Sequence, residues 1–416
     1  MTFFIYSLGC KVNSYECASI SSKLLEEGFI YDSKNPDIIV INTCSVTHVA
    51  DQKSRQHIRK YRNKFPHSVI VVMGCYAQEN SEFIKEELGA DIVIGTSSRS
   101  EVVDYIKEYI SSHKGILQVN KDVRHYEYEE LGITSYSENI RAYLKIQDGC
   151  DNFCTYCIIP YRRGRSRSRD LDMVIKEAKE LVNKGYKEIV LTGIHIGYYG
   201  KDIGETFSHL VEELCKIDGL YRLRISSIEE SEIDDKLIAL VANNPKVAKH
   251  LHIPLQSGSN NILKRMARKY TREEFLDKLK RIKFLLPGIC FTTDLIVGFP
   301  GESEQDFLDS YNLLIEGGFN QIHVFPYSPR EGTVAASFKD QIPPKVKTER
   351  VNRILELSDR LWKEYQNSYK GKEVDIIVER YNEKTKSFEG HSSSYLYVSL
   401  PQKDLQIGQI IKTTYK

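Results

Sequence analysis

Short apolar runs rich in β-branched residues alternate with amphipathic segments over the first 110 residues of the chain. The runs read FFIYSLG, DIIVINTC, VIVVMGC and DIVIG, and helical periodicity is found near 14–27, 47–63, 79–87 and 97–110. Strands that are apolar on both faces and alternate with helices are typical of a parallel sheet covered by helices. The pattern therefore predicts an α/β domain with a parallel sheet over residues 1–112.

A second series of strands and helices begins near residue 140. Its apolar runs predict strands near 142–147, 187–192, 222–226, 249–254, 289–297 and 320–325, with helical segments such as DLDMVIKEAKELVNKG between them. Six β/α units in a row indicate an open or partial barrel rather than a closed eight-fold one. Residues 113–139, which include the polar, tyrosine-rich stretch YEYEELGITSYSEN, are predicted to form a linker.

The chain changes character again after the barrel pattern. A helix is predicted after the IPP sequence at 342–344 and is expected to pack on the barrel, because apolar residues recur at helical spacings: Val351, Leu355, Trp362, Tyr365 and Tyr369. From 370 to 416 the segments EVDIIVERY, SYLYVSL and IGQIIKTTYK alternate apolar and polar positions. This alternation predicts a small all-β module, which leaves 140–369 for the barrel domain.

Composition narrows the range of functions. The chain has 416 residues, and its 58 basic and 57 acidic residues give a net charge of +1, so no global charge demands a nucleic-acid or membrane partner. No apolar run approaches the roughly 20 residues that span a bilayer, and the start MTFFIYSLGCKVN fits a first strand better than a signal peptide. We therefore expect a soluble, cytoplasmic protein. Nine cysteines are too few for a disulfide scaffold and favour metal or redox chemistry.

Three of the cysteines lie within eight positions: Cys150, Cys154 and Cys157. Four cysteines would close a tetrahedral zinc or iron site, whereas three with no nearby histidine leave one coordination position open for a substrate or cofactor. The alternative is a structural zinc site that a distant ligand such as Cys290 completes.

Three further cysteines, Cys10, Cys44 and Cys75, are scattered in sequence, but each falls at the carboxyl end of a predicted strand. In a parallel sheet these ends share one edge, so the three thiols are expected to converge and to hold a second cluster with an exchangeable iron. The alternative is three separate buried cysteines. Cys17 and Cys215 lie on predicted helices and Cys290 lies within a strand, so these three are predicted to be core residues.

The Cys-x3-Cys-x2-Cys spacing, with Tyr156 before the last cysteine, and the six-unit layout resemble the radical S-adenosylmethionine (SAM) enzymes. The resemblance implies that the three thiolates hold three irons of a 4Fe-4S cluster and that the fourth iron chelates SAM. One electron from the cluster then cleaves SAM to a 5′-deoxyadenosyl radical. In such enzymes the protein's part is placement and the exclusion of water.

Further stretches match the same superfamily and imply a SAM site at the strand ends. LTGIHIGYYG places Thr192 and Gly193 where the family meets the SAM amino group, and HIPLQSGSN places Gln256 and Ser257 where ribose or carboxylate contacts are usual. DLIVGFPGE, which contains Gly298, resembles the glycine-rich turn near the adenine. The resemblance therefore implies these residues, with Tyr156, as cofactor contacts.

The two cysteine triads, with RGRSRSR, HIPLQSGS and RMARKY, resemble the methylthiotransferases within that superfamily. This implies a fold of three parts: a Rossmann-like N-terminal domain with an auxiliary iron–sulfur cluster, a partial (β/α)6 radical SAM barrel, and a C-terminal TRAM module that binds RNA or another substrate. GCKVNSYE and NTCSVTHVADQKSRQHIRK resemble the subgroup that acts on threonylcarbamoyladenosine in tRNA.

Other members differ at the first cysteine. Where this chain has Lys11, Val12 and Asn13, the isopentenyladenosine enzymes usually have Gln-Met-Asn and the enzymes that modify a ribosomal protein usually have Pro-Lys-Asn. One departure from the family is SSIEES, in which Glu230 stands where proline is frequent, so that a substrate role for Glu229 stays open.

The resemblance implies that the C2 hydrogen of a hypermodified adenosine next to the anticodon is replaced by a methylthio group. One SAM methylates a sulfur on the Cys10/Cys44/Cys75 cluster, and a second SAM, at the other triad, yields the radical. The clusters are then expected to face one another across the domain boundary. The implied partners are the tRNA anticodon loop and an external electron donor, and we expect a monomer. Rival classes are a non-catalytic RNA-binding protein with zinc in the cysteine sites and an electron-transfer protein.

Positive charge is concentrated beside the second triad, in the stretch that contains Arg162, Arg163, Arg165, Arg167 and Arg169. These arginines are expected to draw RNA phosphate to the barrel mouth, with Arg163 or Arg165 alternatively pairing with a SAM or substrate carboxylate. A second basic stretch contains Lys264, Arg265, Arg268, Lys269 and Arg272. Tyr395 and Tyr397 are candidates for stacking on unpaired bases. The alternatives are solvated basic loops and core tyrosines.

Overall fold

The computed structural model describes residues 1–132, 140–400 and 404–416. Residues 133–139, the last part of the predicted linker, lie outside this description. Three units follow one another along the described chain: a parallel sheet with helices, a partial barrel, and an antiparallel sheet. This order matches the predicted α/β, barrel and all-β succession.

The first unit is a six-stranded parallel sheet in the order β2-β1-β3-β4-β5-β6. Its strands are β1 (Thr2–Ser7), β2 (Ile30–Tyr31), β3 (Ile38–Thr43), β4 (Val69–Gly74), β5 (Ile92–Ile94) and β6 (Ile116–Gln118). Its helices are α1 (Lys11–Glu26), α2 (His48–Lys64), α3 (Cys75–Glu79), α4 (Ser81–Glu86) and α5 (Val102–Ser112). Helices α1 and α5 pack on one face of the sheet, and α2 and α4 pack on the other.

The predicted boundary of this unit at residue 112 is too early. Strand β6 pairs with β5, so residues that the sequence pattern assigned to the linker form the edge of the sheet. The linker also contacts the folded units through Glu129, which binds Arg99, and Glu130, which binds Arg169. Polarity and tyrosine content suggested a free connection, but these carboxylates neutralise buried arginines.

The second unit is the partial barrel. Its strands are β7 (Arg141–Lys145), β8 (Gln147–Asp148), β9 (Arg167–Ser168), β10 (Glu188–Thr192), β11 (Arg222–Ile225), β12 (His250–His252), β13 (Cys290–Val297) and β14 (Gln321–Pro326). Its helices are α6 (Ile159–Arg163), α7 (Leu171–Asn183), α8 (Phe207–Cys215), α9 (Asp235–Asn243), α10 (Asn260–Arg265), α11 (Arg272–Leu285) and α12 (Glu304–Glu316). Short 3-10 helices lie at Arg99–Glu101, Val123–His125, Ile196–Tyr198, Glu230–Glu232 and Val334–Ser337.

The barrel strands form two parallel sheets, β7-β10-β11 and β12-β13-β14, which the bridge between Ser227 and His252 joins. Strands β7 and β14 are the outer edges of this six-strand array, so the barrel is open, as the pattern predicted. Strands β8 and β9 form a short antiparallel pair, which joins the two ends of the loop and helix that follow the first barrel strand.

Helix α13 (Pro344–Tyr369) leads to the C-terminal sheet, whose strands are β15 (Glu373–Asn382), β16 (Ser387–Ser392), β17 (Tyr397–Leu400) and β18 (Ile410–Thr414). The sheet is antiparallel, in the order β17-β16-β15-β18. The sequence pattern missed β16 because its residues, SFEGHS, are mostly polar and include a glycine. Among the described residues, no helix has the length and apolar character that crossing a membrane requires.

Helix α13 packs against both the barrel and the C-terminal sheet. Ile354 and Leu357 pack in the barrel core, whereas Trp362, Tyr365 and Tyr369 pack with the C-terminal sheet and Cys290. The predicted stripe was wrong at Leu355, which is 47% exposed, because the buried face passes through its neighbour Ile354. Cys17, Cys215 and Cys290 are buried, which confirms their prediction as core residues.

Candidate active site between the two cysteine triads

The first triad lies at the carboxyl edge of the first sheet, on the adjacent strands β1, β3 and β4. Cys10 immediately precedes α1, Cys44 follows β3, and Cys75 begins α3. The approach of the loops depends on Gly9, whose φ is +100° and where a Cβ atom would lie 2.6 Å from the Cβ of Cys44. The loops of Cys10 and Cys44 are therefore in close contact, and the binding of a cluster by the three thiols stays a prediction.

Cys44 and Cys75 are 7% and 4% exposed, whereas Cys10 is exposed and lines a cavity. Burial raises the pKa of Cys44 to about 11, and burial also raises the pKa of Cys10 although Arg163 opposes the shift. Thiols in such a setting keep their protons until a metal replaces them.

The second triad lies on the loop that joins β8 to α6. The Cys150 N–H donates to the carbonyl oxygen of Gly164 at 3.1 Å, and the Cys157 N–H donates to that of Cys154 at 2.9 Å. Burial raises the pKa of Cys157 to about 12, and the thiols of Cys154 and Cys150 add to the shift. Cys150 and Cys154 are therefore electrostatic neighbours of Cys157, and their role as ligands of one cluster stays a prediction.

Two polar side chains that the sequence analysis did not assign to the site contact this triad. The Nδ1 atom of His195 lies 3.7 Å from the Sγ atom of Cys150, and its Nε2 atom lies 2.7 Å from Glu232. Although burial acts to lower it, the hydrogen bonds to Cys150 and Glu232 raise the pKa of His195 to about 10. Arg268 donates from Nη1 to the Sγ atom of Cys154 at 3.6 Å.

Arg268 belongs to the second basic stretch, but it is buried and does not face solvent. Its side chain is 5% exposed and forms an ion pair with Glu229. Glu229 and His195 line a cleft of about 210 Å³ beside Cys154. The only hint in the sequence is that His195 comes three residues after Thr192, at the end of β10.

The neighbouring Glu230 is buried, at 5% exposure. Burial and the nearby Glu229 carboxylate raise the pKa of Glu230 to about 7. Glu229 is thus the carboxylate at the cleft surface, and its predicted contact with substrate stays a prediction.

A larger cavity of about 570 Å³ lies between the units. The first unit contributes Cys10, the barrel contributes Thr192 and Gly193, and the C-terminal sheet region contributes Tyr395, whose ring stacks on His250 at 4.3 Å. Charged and titratable side chains also line it: Lys11, Arg224, His250, His252, Asp294 and His323. Residues from all three parts of the chain therefore line one space that includes Cys10.

Of the residues implied as SAM contacts, Thr192 and Gly193 line this cavity. A Cβ atom on Gly193 would come within 2.9 Å of the Gln147 carbonyl oxygen, so the close approach of the two loops requires glycine. Gln147 holds the turn, because its Oε1 atom accepts from the N–H groups of Ile194 and His195 at 3.0 and 2.7 Å.

The other implied SAM contacts lie in packed turns. Tyr156 packs against a buried cluster that contains Met266 and Phe299. Gln256 has a φ of +60°, and the Ser257 hydroxyl lies 3.3 Å from that of Ser310. Gly298 has a φ of +70°, and a Cβ atom there would collide with Lys347 of α13. Their contacts with SAM stay predictions.

The arginine-rich stretch differs most from expectation. Arg163, Arg167 and Arg169 are 1%, 6% and 2% exposed, and their partners are carboxylates of the protein. Arg162 pairs with Glu79. Only the side chain of Arg165, among these five residues, is mostly exposed, at 59%. Most of this charge therefore joins the units of the protein and is not free to meet RNA phosphate.

Comparison with known proteins agrees with this geometry. The radical SAM superfamily model matches residues 144–314, and the model for Uncharacterized protein family UPF0004 matches residues 2–95. Across 99% of its length the chain is 46% identical to the threonylcarbamoyladenosine tRNA methylthiotransferase MtaB of Bacillus subtilis (strain 168), of which it covers 93%. The chain belongs to the radical SAM methylthiotransferase family.

Another member of this family, the tRNA-2-methylthio-N(6)-dimethylallyladenosine synthase of Thermoanaerobacter pseudethanolicus, is 39% identical over 91% of the chain and 82% of its own length. Among solved structures, the radical SAM methyltransferase TsrM of Kitasatospora setae superposes with a TM-score of 0.60. It shares 14% identity over 80% of this chain and 73% of its own, so the likeness concerns the fold.

Members of this family use SAM and two iron–sulfur clusters, and the two triads fit such clusters. Each triad offers three free thiols, and an iron–sulfur cluster spreads its thiolates over several irons. Within the described ranges, no three His, Cys, Asp or Glu side chains are grouped as a single metal ion requires. Cys290 lies at the amino end of β13, opposite the edge that carries Cys150, so it cannot complete a zinc site there.

Proposed function

We propose that this chain is a tRNA methylthiotransferase that converts N6-threonylcarbamoyladenosine next to the anticodon into its 2-methylthio derivative. The observation that carries the proposal is the cavity shared by Cys10 of the first triad and by Thr192 and Gly193 of the barrel. A nucleoside in that space would meet Cys10 of the first triad and the end of β10, and His195, just beyond that strand, contacts Cys150 of the second triad. The identity with the MtaB relative of Bacillus subtilis supports the choice of substrate.

In this proposal Cys150, Cys154 and Cys157 hold one cluster, and Cys10, Cys44 and Cys75 hold the other. When bound, SAM and the clusters supply the methyl group, the sulfur and the radical chemistry that C–S bond formation at C2 requires. The chain's own task is to bind the base, to orient its C2 edge toward the first triad, and to exclude water.

Several residues serve these tasks in the proposal. His195, held between Cys150 and Glu232, fixes the second triad's loop against β10. Arg163 ties that loop to the first triad. Tyr395 and His250 form an aromatic wall of the cavity, on which an unstacked base of a single-stranded anticodon loop can lie. We further propose that the enzyme acts as a cytoplasmic monomer and takes electrons from an external donor.

The test is mass spectrometry of tRNA nucleosides from a deletion strain and from the same strain with the gene restored. We expect 2-methylthio-threonylcarbamoyladenosine to disappear, its unmethylthiolated precursor to accumulate, and the wild-type pattern to return on complementation. Persistence of the methylthio nucleoside would refute the substrate.

The anaerobically purified protein separates the rival functions. One assay offers the enzyme tRNA that carries isopentenyladenosine, and a second offers it the ribosomal protein. Each assay reports on one of the two related methylthiotransferase activities. Stoichiometric zinc without iron or acid-labile sulfide would instead favour a non-catalytic RNA-binding protein. Release of 5′-deoxyadenosine from SAM on reduction would argue against simple electron transfer.

A further inference from the structure

Lys11 is an unpaired cation in the central cavity. It is the first residue of α1 and lines the cavity beside Cys10 and Val12. Its side chain is accessible to solvent although protein surrounds it, because it faces the cavity. Among the described residues, its ammonium group has no hydrogen-bond or ion-pair partner.

The two arginines near Lys11 are paired with a carboxylate, and the carboxylate of Asp294 also lies near it. The Arg224 Nε–H donates to Glu188 at 2.8 Å, and Asp294 lies 3.3 Å from the Nε2 atom of His252. Arg141, a further electrostatic neighbour of Lys11, also pairs with Glu188. Among the described residues that line this cavity, Lys11 is therefore the cation without a direct ion-pair partner. An ammonium group in a protein-lined cavity loses part of its hydration, and an anionic ligand compensates for that loss.

The substrate in the proposed function carries such an anion. A threonylcarbamoyl group ends in a carboxylate and a hydroxyl, whereas a dimethylallyl group is a neutral hydrocarbon. Both groups are attached to N6 of the adenine, and C2 and C6, which carries N6, flank N1 on the same edge of the base. A substituent anchored beside Cys10 therefore brings the C2 edge toward the first triad.

We propose that Lys11 binds the carboxylate of the threonylcarbamoyl group and so makes this chain select an anionic N6 substituent over an apolar one. The inference rests on the proposed function and adds the residue that recognises the N6 substituent. The enzyme selects the anionic substituent because a hydrocarbon bound beside Lys11 would leave the ammonium group without a partner.

The test compares ligands on the anaerobically purified holoenzyme. Fluorescence anisotropy measures binding of an anticodon stem-loop with threonylcarbamoyladenosine, of the same stem-loop with the carboxylate as its methyl ester, and of one with isopentenyladenosine. A charge-assisted contact predicts that the wild-type enzyme binds the acid about 10- to 100-fold more tightly than the ester. Equal affinity for acid and ester would overturn the inference.

Lys11→Met should erase the preference for the acid, and Lys11→Arg should keep most of it. The control is Lys34→Met, an exposed lysine in the loop before β3, at the opposite edge of the sheet. Iron and sulfide contents are measured for every variant. If Lys11→Met loses iron, the acid and ester comparison on the wild-type enzyme decides the question alone.

Turnover separates this inference from the proposed function. A wild-type enzyme that methylthiolates the threonylcarbamoyl stem-loop but treats acid and ester alike contradicts only the role of Lys11. A wild-type enzyme that cleaves SAM but forms no methylthio product on this stem-loop contradicts the proposed function itself.

Discussion

The Nε atom of Arg163 lies 3.2 Å from the Sγ atom of Cys75, although 88 residues separate the two in the sequence. The same guanidinium donates to Glu16 at 2.9 Å and to Asp148 at 3.2 Å. One arginine thus joins the loop of the second triad to the thiols of the first. We infer that it sets the spacing between the two triads.

Replacing Arg163 with methionine should destabilise the protein and empty the first triad. Removing one partner from a buried charge network typically costs about 3–5 kcal/mol. We expect about 3 kcal/mol, because Arg99 and Lys145 remain to neutralise Glu16 and Asp148. Urea unfolding measures the loss, and iron analysis measures the first cluster. Arg163→Lys should be more stable than Arg163→Met, but it cannot form the several hydrogen bonds that the guanidinium makes.

Arg165 provides the matched control for stability. It lies two residues away in the same basic stretch, but its side chain is 59% exposed and pairs with Asp151 at 3.1 Å. Arg165→Met should change the free energy of unfolding by less than about 1 kcal/mol. Equal losses for the two variants would contradict the bridging role of Arg163.

This pair of arginines shows what the sequence could predict and what it could not. Strand positions and the cysteine triads were predictable, because apolar periodicity and local spacing report on them directly. The partners of Arg163 were not, because Glu16 and Cys75 come near it only after the first two units pack together. The contact of His195 with Cys150 has the same origin. Five arginines in a short stretch therefore looked like a surface for RNA.

The two triads should be separable by mutation. Cys75→Ala should remove about half of the iron and sulfide and abolish the methylthio product, while reductive release of 5′-deoxyadenosine persists. Cys150→Ala should remove a similar share of iron and abolish both products. Cys215→Ala, which changes a buried core thiol, should leave the iron content unchanged. Loss of 5′-deoxyadenosine in Cys75→Ala with the second cluster intact would contradict the division of roles.

Glu230 should make stability depend on pH. Its pKa is raised to about 7 in the folded protein, above that of an ordinary carboxyl, so the folded state holds this proton more tightly than the unfolded state. Stability should therefore fall as pH rises toward and through 7, by about 1–2 kcal/mol between roughly pH 6 and 8.5. Urea unfolding at both values measures this loss. Glu230→Gln should remove that part of the slope, whereas the exposed Glu383→Gln should not.

Gly9→Ala should break the first triad by geometry alone. Gly9 has a φ of +100°, and an added Cβ atom would lie 2.6 Å and 2.7 Å from the Cβ and Sγ atoms of Cys44. The matched control is Gly28→Ala, because Gly28 has a φ of +83° but no atom within 4 Å of the added Cβ. Both variants bear the backbone strain of a positive φ, about 1 kcal/mol, and only Gly9→Ala also displaces a cluster thiol. We therefore expect about half of the iron to be lost from Gly9→Ala and none from Gly28→Ala. Full iron in Gly9→Ala would show that the close approach of this loop to Cys44 is not needed to hold the cluster.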